Sequence, residues 1–196
     1  MGTAVSNAAR GLETHAFSRL CEGFGLQVWD VDISQPLDDV RWERLSRAFF
    51  AGQVLVLRGQ RLSAAQFHAF AKRFGPPEPH VIDQFHHPAH AEILILSNVL
   101  RDGQPTGLAD AGTYFHTDYS YLEVPARATL LYSVEVPKRG GDTLFANQYA
   151  AYDDLSAAMK KRIEPLVALH HYGNRDDLNK STRHHTTQDD GFKGSA

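Results

Sequence analysis

The sequence predicts an α+β, mainly β protein in which a sheet core carries helices on its outside. Three observations predict this fold class. Strand-like apolar runs outnumber helical segments in the middle of the chain, Gly and Pro turns separate those runs, and the helical segments are short and amphipathic. The 196 residues suit one domain, and 42% hydrophobic residues are enough for a packed core.

Periodicity predicts the elements of the first half. Extended structure is expected before Pro36, on the apolar residues Leu26, Val28, Val31 and Ile33. A helix follows, with large apolar residues at helical spacing: Trp42, Leu45, Phe49 and Phe50. The compact apolar run 53–58, closed by Gly59, predicts a buried strand.

The second helix has start and stop signals of its own. Ser63 and Gln66 have the spacing of a capping box, in which each side chain bonds to the other residue's backbone N–H. Apolar residues then recur with helical period, at Phe67, Phe70, Ala71 and Phe74. Gly75, followed by two prolines, ends the helix.

The second half predicts mostly strands. Residues 93–96 form an apolar run typical of a buried strand, and residues 101–112 lack periodicity and are expected to form a loop. Segments 113–122, 127–136 and 143–146 are strand-like. Leu155, Met159 and Ile163 mark a helix. The chain after residue 172 is polar and is not expected to contribute to a core.

Composition excludes several classes of protein. The formal charge of −3 argues against a nucleic-acid surface, because phosphate binding draws on excess Lys and Arg. No apolar run approaches the ~20 residues that span a membrane, and the N-terminus lacks the apolar stretch of a secretory signal. The single cysteine, Cys21, fits a reducing compartment, so we expect a cytoplasmic protein; homo-oligomerisation is left open.

A His-x-Asp motif is the strongest candidate for chemistry. In an extended strand, residues i and i+2 point to the same face, so the side chains of His116 and Asp118 are expected to converge. Together they supply two of the three ligands of a 2-His-1-carboxylate triad, which binds Fe(II) and leaves open positions for a bidentate co-substrate and O₂. About one such pair is expected by chance in a chain of this composition, so it needs support from its surroundings.

The aromatic residues around this motif allow two interpretations. Tyr114, Phe115, Tyr119 and Tyr121 can wall a dry pocket beside the metal, or they can be ordinary core. A Gly-Gly-Asp-Thr segment, ending at Thr143, is likewise either a hairpin turn or a turn that also presents the Thr143 hydroxyl to an anionic ligand.

Other histidines have less specific settings. His80 follows a Gly-Pro-Pro-Glu-Pro segment, where a loop can reach into a pocket. His68 lies between phenylalanines of the second predicted helix and is expected to be packed. His86, His87 and His90 lie in a Pro-flanked polar segment and are expected at the surface.

In their order and spacing, these motifs resemble the taurine dioxygenase/TfdA-like (TauD/TfdA) family of Fe(II)/2-oxoglutarate-dependent dioxygenases. The resemblance runs from about residue 28 to about residue 172. It includes VLVLRGQRLSAAQFHAFAKRFG at 54–75, SNV at 97–99 and FHTDYSYLEVPARATLLYSVEVPKRGGDTLFANQYAAYDDLS at 115–156. The last stretch is specific, because it combines HTD, VP, GGDT and an AY-x-x-LS helix in the family's order.

The resemblance implies a double-stranded β-helix (jelly-roll) core with flanking helices, incomplete at the C-terminus. It divides the chain into a flexible tail (1–12), the N-terminal two thirds of a dioxygenase domain (13–172) and a polar tail (173–196) that the family does not share. The implied activity is hydroxylation of an aliphatic C–H bond in a small anionic substrate of the taurine/alkylsulfonate, alkyl sulfate or aryloxyalkanoate type. O₂ is consumed, and 2-oxoglutarate is decarboxylated to succinate and CO₂.

The resemblance also assigns roles to individual residues. His116 and Asp118 match the first histidine and the carboxylate of the iron triad. Thr143 matches a residue that hydrogen-bonds a carboxylate of 2-oxoglutarate, and His80 matches a histidine that contacts the substrate. Further candidates for the substrate pocket rest on position alone: Asn98, Tyr114 and Tyr119.

The sequence departs from the family pattern after about Arg183. The family's second iron histidine, and the arginine that pairs with 2-oxoglutarate, lie in a downstream stretch that this sequence does not contain. His171 has a compact spacing from Asp118 and is an alternative third ligand, although it matches a histidine that does not bind iron in the family. Two other interpretations stay open: a truncated, catalytically inactive chain that binds metal weakly or acts in interactions, and an unrelated β-sheet binding protein.

Overall fold

The computed structural model describes residues 17–109, 111–112 and 114–170. The described residues divide into two compact units, one formed by 17–66 with 142–166 and the other by the described part of 67–141 with 167–170. The predicted tails, 1–12 and 173–196, lie outside the described residues, as does His171.

The first unit contains a three-stranded sheet. Its strands are β1 (Phe17–Arg19), β2 (Leu26–Val28) and β3 (Leu55–Leu57). The central strand β2 pairs antiparallel with β1 and parallel with β3. Leu26 and Val28 point to the same face and are almost fully buried, whereas all three residues of β3 are only half-buried. The predicted strand at 53–58 is therefore present, but it is less buried than the sequence predicts.

Helix α1 (Asp39–Gly52) packs against this sheet. Its N-terminus is capped by Asp38, whose side chain accepts a hydrogen bond from the backbone N–H of Arg41. Leu45 and Ala48 are buried on one face. Gly52 closes the contact, because a Cβ at this position would lie 2.8 Å from Cγ of Leu26.

Helix α2 (Ala64–Ala71) begins with the predicted capping box. The N–H of Ser63 donates to the Gln66 side chain at 2.8 Å, and the N–H of Gln66 donates to Oγ of Ser63 at 3.2 Å. A 3₁₀ turn (Lys72–Phe74) extends the helix as far as Gly75, whose φ of 141° ends it. The predicted helix and both of its end signals are confirmed.

The second unit contains two hairpins. Strands β4 (His86–His87) and β5 (His90–Leu94) pair antiparallel, as do β6 (Leu100–Arg101) and β7 (Gln104–Pro105). An isolated bridge joins Leu96 to Leu108. The core of this unit is a small hydrophobic cluster: Ile82, Phe85 and Leu108, with Val81 and Leu94 packed against it.

Two sequence predictions about this region need correction. The expected loop at 101–112 contains the β6–β7 hairpin, because Asp102 and Gly103 adopt the positive φ values (50° and 76°) that a tight hairpin turn requires. The predicted strand at 93–96 begins earlier and ends at Leu94, so it includes polar residues that the apolar run did not contain.

Three further predicted strands are not formed. Segments 114–122, 127–136 and 143–146 contain no strand in the described part of the chain. Their composition favours strands, but a strand exists only when a neighbouring segment satisfies its backbone N–H and C=O groups. No such pairing involves these segments among the described residues. Several of their apolar side chains are exposed, including Leu131, Val134 and Val136.

The last predicted helix, marked by Leu155, Met159 and Ile163, is present from Ala157, and a separate short helix precedes it; in chain order the two are α3 (Gln148–Asp153) and α4 (Ala157–Ile163). The break occurs because Ser156 is an N-cap, accepting a hydrogen bond from the N–H of Met159. None of the helices in the described residues is long and apolar enough to cross a membrane. The expected α+β class is confirmed, but the described sheets are small and none of them closes, so the jelly roll stays a prediction.

Candidate functional site

The side chains of His116 and Asp118 meet in the second unit. Nε2 of His116 lies 3.0 Å from Oδ1 of Asp118. Convergence of the two side chains was predicted, but from the geometry of a strand, and that reason is wrong. Residues 115–117 lie outside any strand, and a turn begins at Asp118. The N–H of Leu122 donates to the carbonyl of Tyr119 just after it, so the pair lies where the chain enters a turn rather than along a strand.

Each member of the pair is held by a hydrogen bond to another residue. Nδ1 of His116 donates to the backbone carbonyl of Tyr114 at 2.7 Å, so in a neutral imidazole the lone pair is on Nε2, which is the atom facing Asp118. Oδ2 of Asp118 accepts a 2.7 Å hydrogen bond from the hydroxyl of Thr129. Partners of this kind orient metal ligands in proteins, by fixing the tautomer of the histidine and the rotation of the carboxylate.

The pair matches the donor geometry of a small divalent cation. Metal–donor distances of about 2.1 Å place two adjacent ligands of an octahedral ion about 3.0 Å apart, which is the separation of Nε2 and Oδ1 here. An imidazole nitrogen and a carboxylate oxygen are also the ligand types of non-haem iron. Within residues 17–109, 111–112 and 114–170, no group of three or more His, Cys, Asp or Glu side chains converges on one point. The described residues therefore fit two of the three protein ligands of such a centre.

The pair is open to solvent. The side chains of His116 and Asp118 are each 40% exposed. Tyr114 packs its ring 5.3 Å from the imidazole of His116, yet it is also largely exposed. The expectation of a dry aromatic pocket is therefore not met by the described residues.

His80 lies beside this turn. The ring of Tyr119, the residue after Asp118, packs edge-on against the His80 imidazole with centroids 6.3 Å apart. The Tyr119 hydroxyl donates to the carbonyl of Pro79 at 3.3 Å. Two residues that are 39 positions apart in sequence, His80 and Tyr119, are thus brought into contact, and both are among the predicted substrate residues.

A local hydrogen bond sets the tautomer of His80, and burial affects its pKa. Its Nδ1 accepts from the N–H of Ile82 at 3.0 Å, which places the ring proton on Nε2. Burial lowers the pKa of His80 below its ordinary value; the carboxylate of Asp118 opposes this shift, and His86 adds to it. His80 is therefore a neutral group with one N–H available as a hydrogen-bond donor.

Asn98 and Thr143 are the other predicted site residues. Asn98 is exposed. The hydroxyl of its neighbour Ser97 hydrogen-bonds the hydroxyl of Thr106 and the N–H of Val99. In the described part of the chain, Asn98 makes no hydrogen bond to the other predicted site residues. Thr143 belongs to the first unit and is exposed. Gly140 and Gly141 before it have the expected positive φ values of 73° and 74°, but no strands pair across this segment in the described residues, so the predicted hairpin is not formed. The contact of Thr143 with 2-oxoglutarate stays a prediction.

Two contacts of the site have no signal in the sequence. Thr129 reaches Asp118 from a segment whose composition predicts only a strand. Ser120, two residues after Asp118, hydrogen-bonds Nδ1 of His170 at 3.0 Å, across 50 positions of sequence. Neither pair lies within one turn or one strand register, so spacing gives no means of finding them.

Comparison with known proteins identifies relatives over most of the chain. The model of a family described as "Taurine catabolism dioxygenase TauD, TfdA family" matches residues 16–194. A pentalenolactone F synthase of Streptomyces arenae is 36% identical over 149 residues, which are 74% of this chain and 50% of the relative. An alpha-ketoglutarate-dependent 2,4-dichlorophenoxyacetate dioxygenase of Cupriavidus pinatubonensis is 35% identical over 158 residues, 76% of this chain and 55% of the relative.

A third relative acts on a different class of substrate. It is an alpha-ketoglutarate-dependent sulfate ester dioxygenase of Pseudomonas putida, 30% identical over 172 residues, which are 85% of this chain and 54% of the relative. The chain spans about half the length of these curated relatives.

Proposed function

The chain belongs to the TauD/TfdA family of Fe(II)/2-oxoglutarate-dependent dioxygenases, and from this membership we propose that it hydroxylates an aliphatic C–H bond of a small anionic substrate. In the same reaction, 2-oxoglutarate is decarboxylated to succinate and CO₂. The observation that carries the proposal is the His116–Asp118 pair, with its 3.0 Å separation of Nε2 from Oδ1. These two atoms are the side-chain donors proposed to hold Fe(II).

The residues around the pair support this assignment. The bond from His116 Nδ1 to the Tyr114 carbonyl keeps the imidazole in the tautomer that ligates through Nε2. The Thr129 hydroxyl holds one carboxylate oxygen of Asp118, which leaves the other oxygen facing His116. When bound, Fe(II) with 2-oxoglutarate and O₂ supplies the oxidising chemistry, and the protein contributes binding, orientation and electrostatics. The hydroxyl of Thr143 is proposed to donate to a carboxylate of 2-oxoglutarate.

The proposed substrate is an aryloxyalkanoate, an alkyl sulfate or an alkylsulfonate such as taurine. The names of two relatives specify 2,4-dichlorophenoxyacetate and sulfate esters as their substrates, and both are organic anions. His80 provides a suitable contact, because its Nε2–H is free to donate to a carboxylate, sulfate or sulfonate oxygen. Since burial keeps His80 neutral, it would bind the anion by a hydrogen bond rather than as an ion pair. Tyr114, Tyr119 and Asn98 stay candidates for the same pocket.

Metal binding by the purified chain tests the site. Mn(II) stands in for Fe(II) because it is stable in air and its binding is measured by electron paramagnetic resonance. We expect weak binding by the wild-type chain, since the described residues supply two protein donors. The His116→Ala and Asp118→Ala variants should bind at least ten times more weakly. His87→Ala is the matched control, because it removes an imidazole outside the site and should leave the affinity unchanged.

Release of succinate tests the reaction. Fe(II), 2-oxoglutarate and each of the three proposed substrate classes are added in turn, and succinate is measured with and without substrate. Substrate-dependent succinate that disappears in His116→Ala supports the proposal. Metal binding at His116 without succinate release from any substrate favours the alternative, a catalytically inactive chain that binds metal weakly. Equal Mn(II) affinity in the wild-type and His116→Ala chains would overturn the site itself.

A further inference from the structure

Tyr119 has a backbone conformation that a tyrosine rarely adopts. Its φ is +56°, in the left-handed region, where a Cβ crowds the backbone. The other non-glycine residues with positive φ in the described part of the chain are Gln53, at a helix C-terminus, and Asp102, in a hairpin turn. Both are ordinary places for this conformation. Tyr119 also lies in a turn, but glycine or asparagine would adopt this φ there with less strain, so the contacts of the Tyr119 side chain help to stabilise its backbone.

Two contacts of the Tyr119 side chain are made with one short loop, and another is made with Tyr121 in its own turn, at a ring-centroid distance of 5.9 Å. The Tyr119 hydroxyl donates to the carbonyl of Pro79, and its ring packs edge-on against His80, with an interplanar angle of 79°. The centroid distance of 6.3 Å is within the range of favourable aromatic pairs. The Tyr119 ring therefore bridges the turn that carries Asp118, where it contacts Tyr121, and the loop that carries His80.

The loop is held from its other side as well. The N–H of Ile82 donates to Nδ1 of His80, and Nε2 of His86 donates to the His80 carbonyl at 2.9 Å. Ile82 is anchored in the hydrophobic cluster and is 1% exposed. The loop is thus fixed to the core by the packing of Ile82 and to the turn of Asp118 by its contacts with Tyr119. His80 lies between these two points of contact.

We propose that Tyr119 is a positioning residue, which sets the distance and orientation of the His80 imidazole relative to the His116–Asp118 pair. This inference rests on the proposed function, in which His80 contacts the substrate and the pair holds the metal. Tyr119 itself need not touch either ligand. It acts by fixing where the Nε2–H of His80 points, so that a substrate anion bound there places its carbon beside the metal.

The test uses nuclear magnetic resonance of protein labelled with ¹³C-histidine, in the wild-type chain and two variants. Tyr119→Gly removes the ring and suits the positive φ, and Tyr119→Phe retains the ring but loses the hydrogen bond to Pro79. Tyr132→Phe is the matched control, because it deletes a phenol hydroxyl elsewhere in the same unit, on a ring that packs against Phe67. The His80 signal is assigned from its loss in His80→Gln.

The first measurement needs no metal. In Tyr119→Gly the His80 ring signal should move towards its position in the denatured protein, because the ring-current shift from Tyr119 is lost. Tyr119→Phe should give an intermediate shift, and Tyr132→Phe should give none. The urea midpoint of Tyr119→Gly should change little, since the relief of backbone strain offsets the loss of the ring contacts. A merely structural role predicts instead a lower midpoint with all histidine signals affected together.

The second measurement adds Mn(II), which broadens signals steeply with proximity. In the wild-type chain, His116 and His80 should both broaden. In Tyr119→Gly, His116 should broaden as before, and the broadening of His80 should decrease severalfold. An unchanged His80 signal in Tyr119→Gly in both measurements would overturn the positioning role. Absence of His116 broadening in the wild-type chain would instead contradict the proposed metal site, and the metal-free measurement would still decide the role of Tyr119.

Discussion

The hydroxyl of Thr129 donates a 2.7 Å hydrogen bond to Oδ2 of Asp118, the carboxylate oxygen that does not face His116. One carboxylate is thus shared between a hydroxyl and an imidazole. Since a carboxylate rotates freely about its last bond, this hydrogen bond selects the rotation in which Oδ1 is presented to Nε2 of His116.

Thr129→Val should therefore weaken metal binding without removing a ligand. Valine has nearly the shape of threonine but cannot donate, so Asp118 loses its orienting partner. We expect the affinity for Mn(II) to fall about tenfold, as measured by electron paramagnetic resonance. Ser133→Ala, which removes an exposed hydroxyl from the same segment, should have no effect. An affinity in Thr129→Val equal to that of the wild-type chain would show that the hydrogen bond does not contribute to the site.

The burial of His80 predicts a dependence of stability on pH. Its pKa in the folded chain is lowered chiefly by burial, with a smaller effect of His86 in the same direction and an opposing effect of Asp118. Protonation of Nδ1 would also break the hydrogen bond from Ile82. The unfolded chain therefore takes up this proton at a higher pH than the folded chain, and stability is lost as the pH falls below about 6.5, the ordinary pKa of histidine.

Two measurements check this dependence. A titration of the His80 ring signal should give a pKa below 6.5, and the urea midpoint of the wild-type chain should decrease between pH 7 and pH 5. In His80→Gln the decrease should be smaller, because glutamine does not titrate. A His80 pKa at or above 6.5, or an equal decrease in the two proteins, would contradict the prediction.

Local signals predicted the local structure of this chain well. The capping box of Ser63 and Gln66 and the glycine stop at Gly75 all require only neighbouring residues, and all are present. The α1 helix forms where its apolar period predicts it and buries Leu45, although Phe50, which belongs to the same predicted period, is exposed. Features of this kind are decided within one or two turns of chain, so the sequence around them is sufficient.

The strands and the site show where such reasoning stops. Residues 127–136 have the composition of a strand, but a strand also needs a partner, and composition does not identify one. The meeting of His116 with Asp118 was predicted from a strand, but it occurs outside any strand, where a turn begins at Asp118. The contacts of Tyr119 with Pro79 and His80 span about 40 positions and depend on a positive φ that no tyrosine would be assigned from sequence.

The C-terminus of helix α1 offers a stabilising substitution. Gln53 caps the helix with a φ of 64°, and its N–H donates to the carbonyl of Phe49 at 2.7 Å. Glycine adopts this conformation without steric cost and is the usual residue at such a position. Gln53→Gly should raise the free energy of unfolding by about 0.5–1 kcal/mol, measured by urea denaturation. Gln53→Ala, which shortens the side chain but keeps a Cβ at positive φ, should give no gain.

Gly107 occupies a point where two backbone segments of the second unit nearly touch. A Cβ there would lie 2.7 Å from the carbonyl oxygen of Ile95 and 2.8 Å from the backbone nitrogen of Ser97. These two groups make the hydrogen bonds of the bridge beside it, since the N–H of Leu108 donates to Ile95 and the N–H of Ser97 donates to Leu108. Neither can move without opening the bridge and exposing Leu108, a member of the core.

Gly107→Ala should therefore destabilise the second unit by about 1–3 kcal/mol. The change should be seen as a loss of hydrogen-exchange protection at the amides of Ser97 and Leu108. Gly103→Ala is the control for glycine replacement in general. A Cβ at Gly103 would meet nothing within 4 Å, but the φ of this residue is +76°. The variant therefore introduces backbone strain without a steric collision. It should lower stability by about 1 kcal/mol and leave the protection of Leu108 intact. Equal losses of protection in the two variants would show that a steric collision at Gly107 is not the cause of the opened bridge.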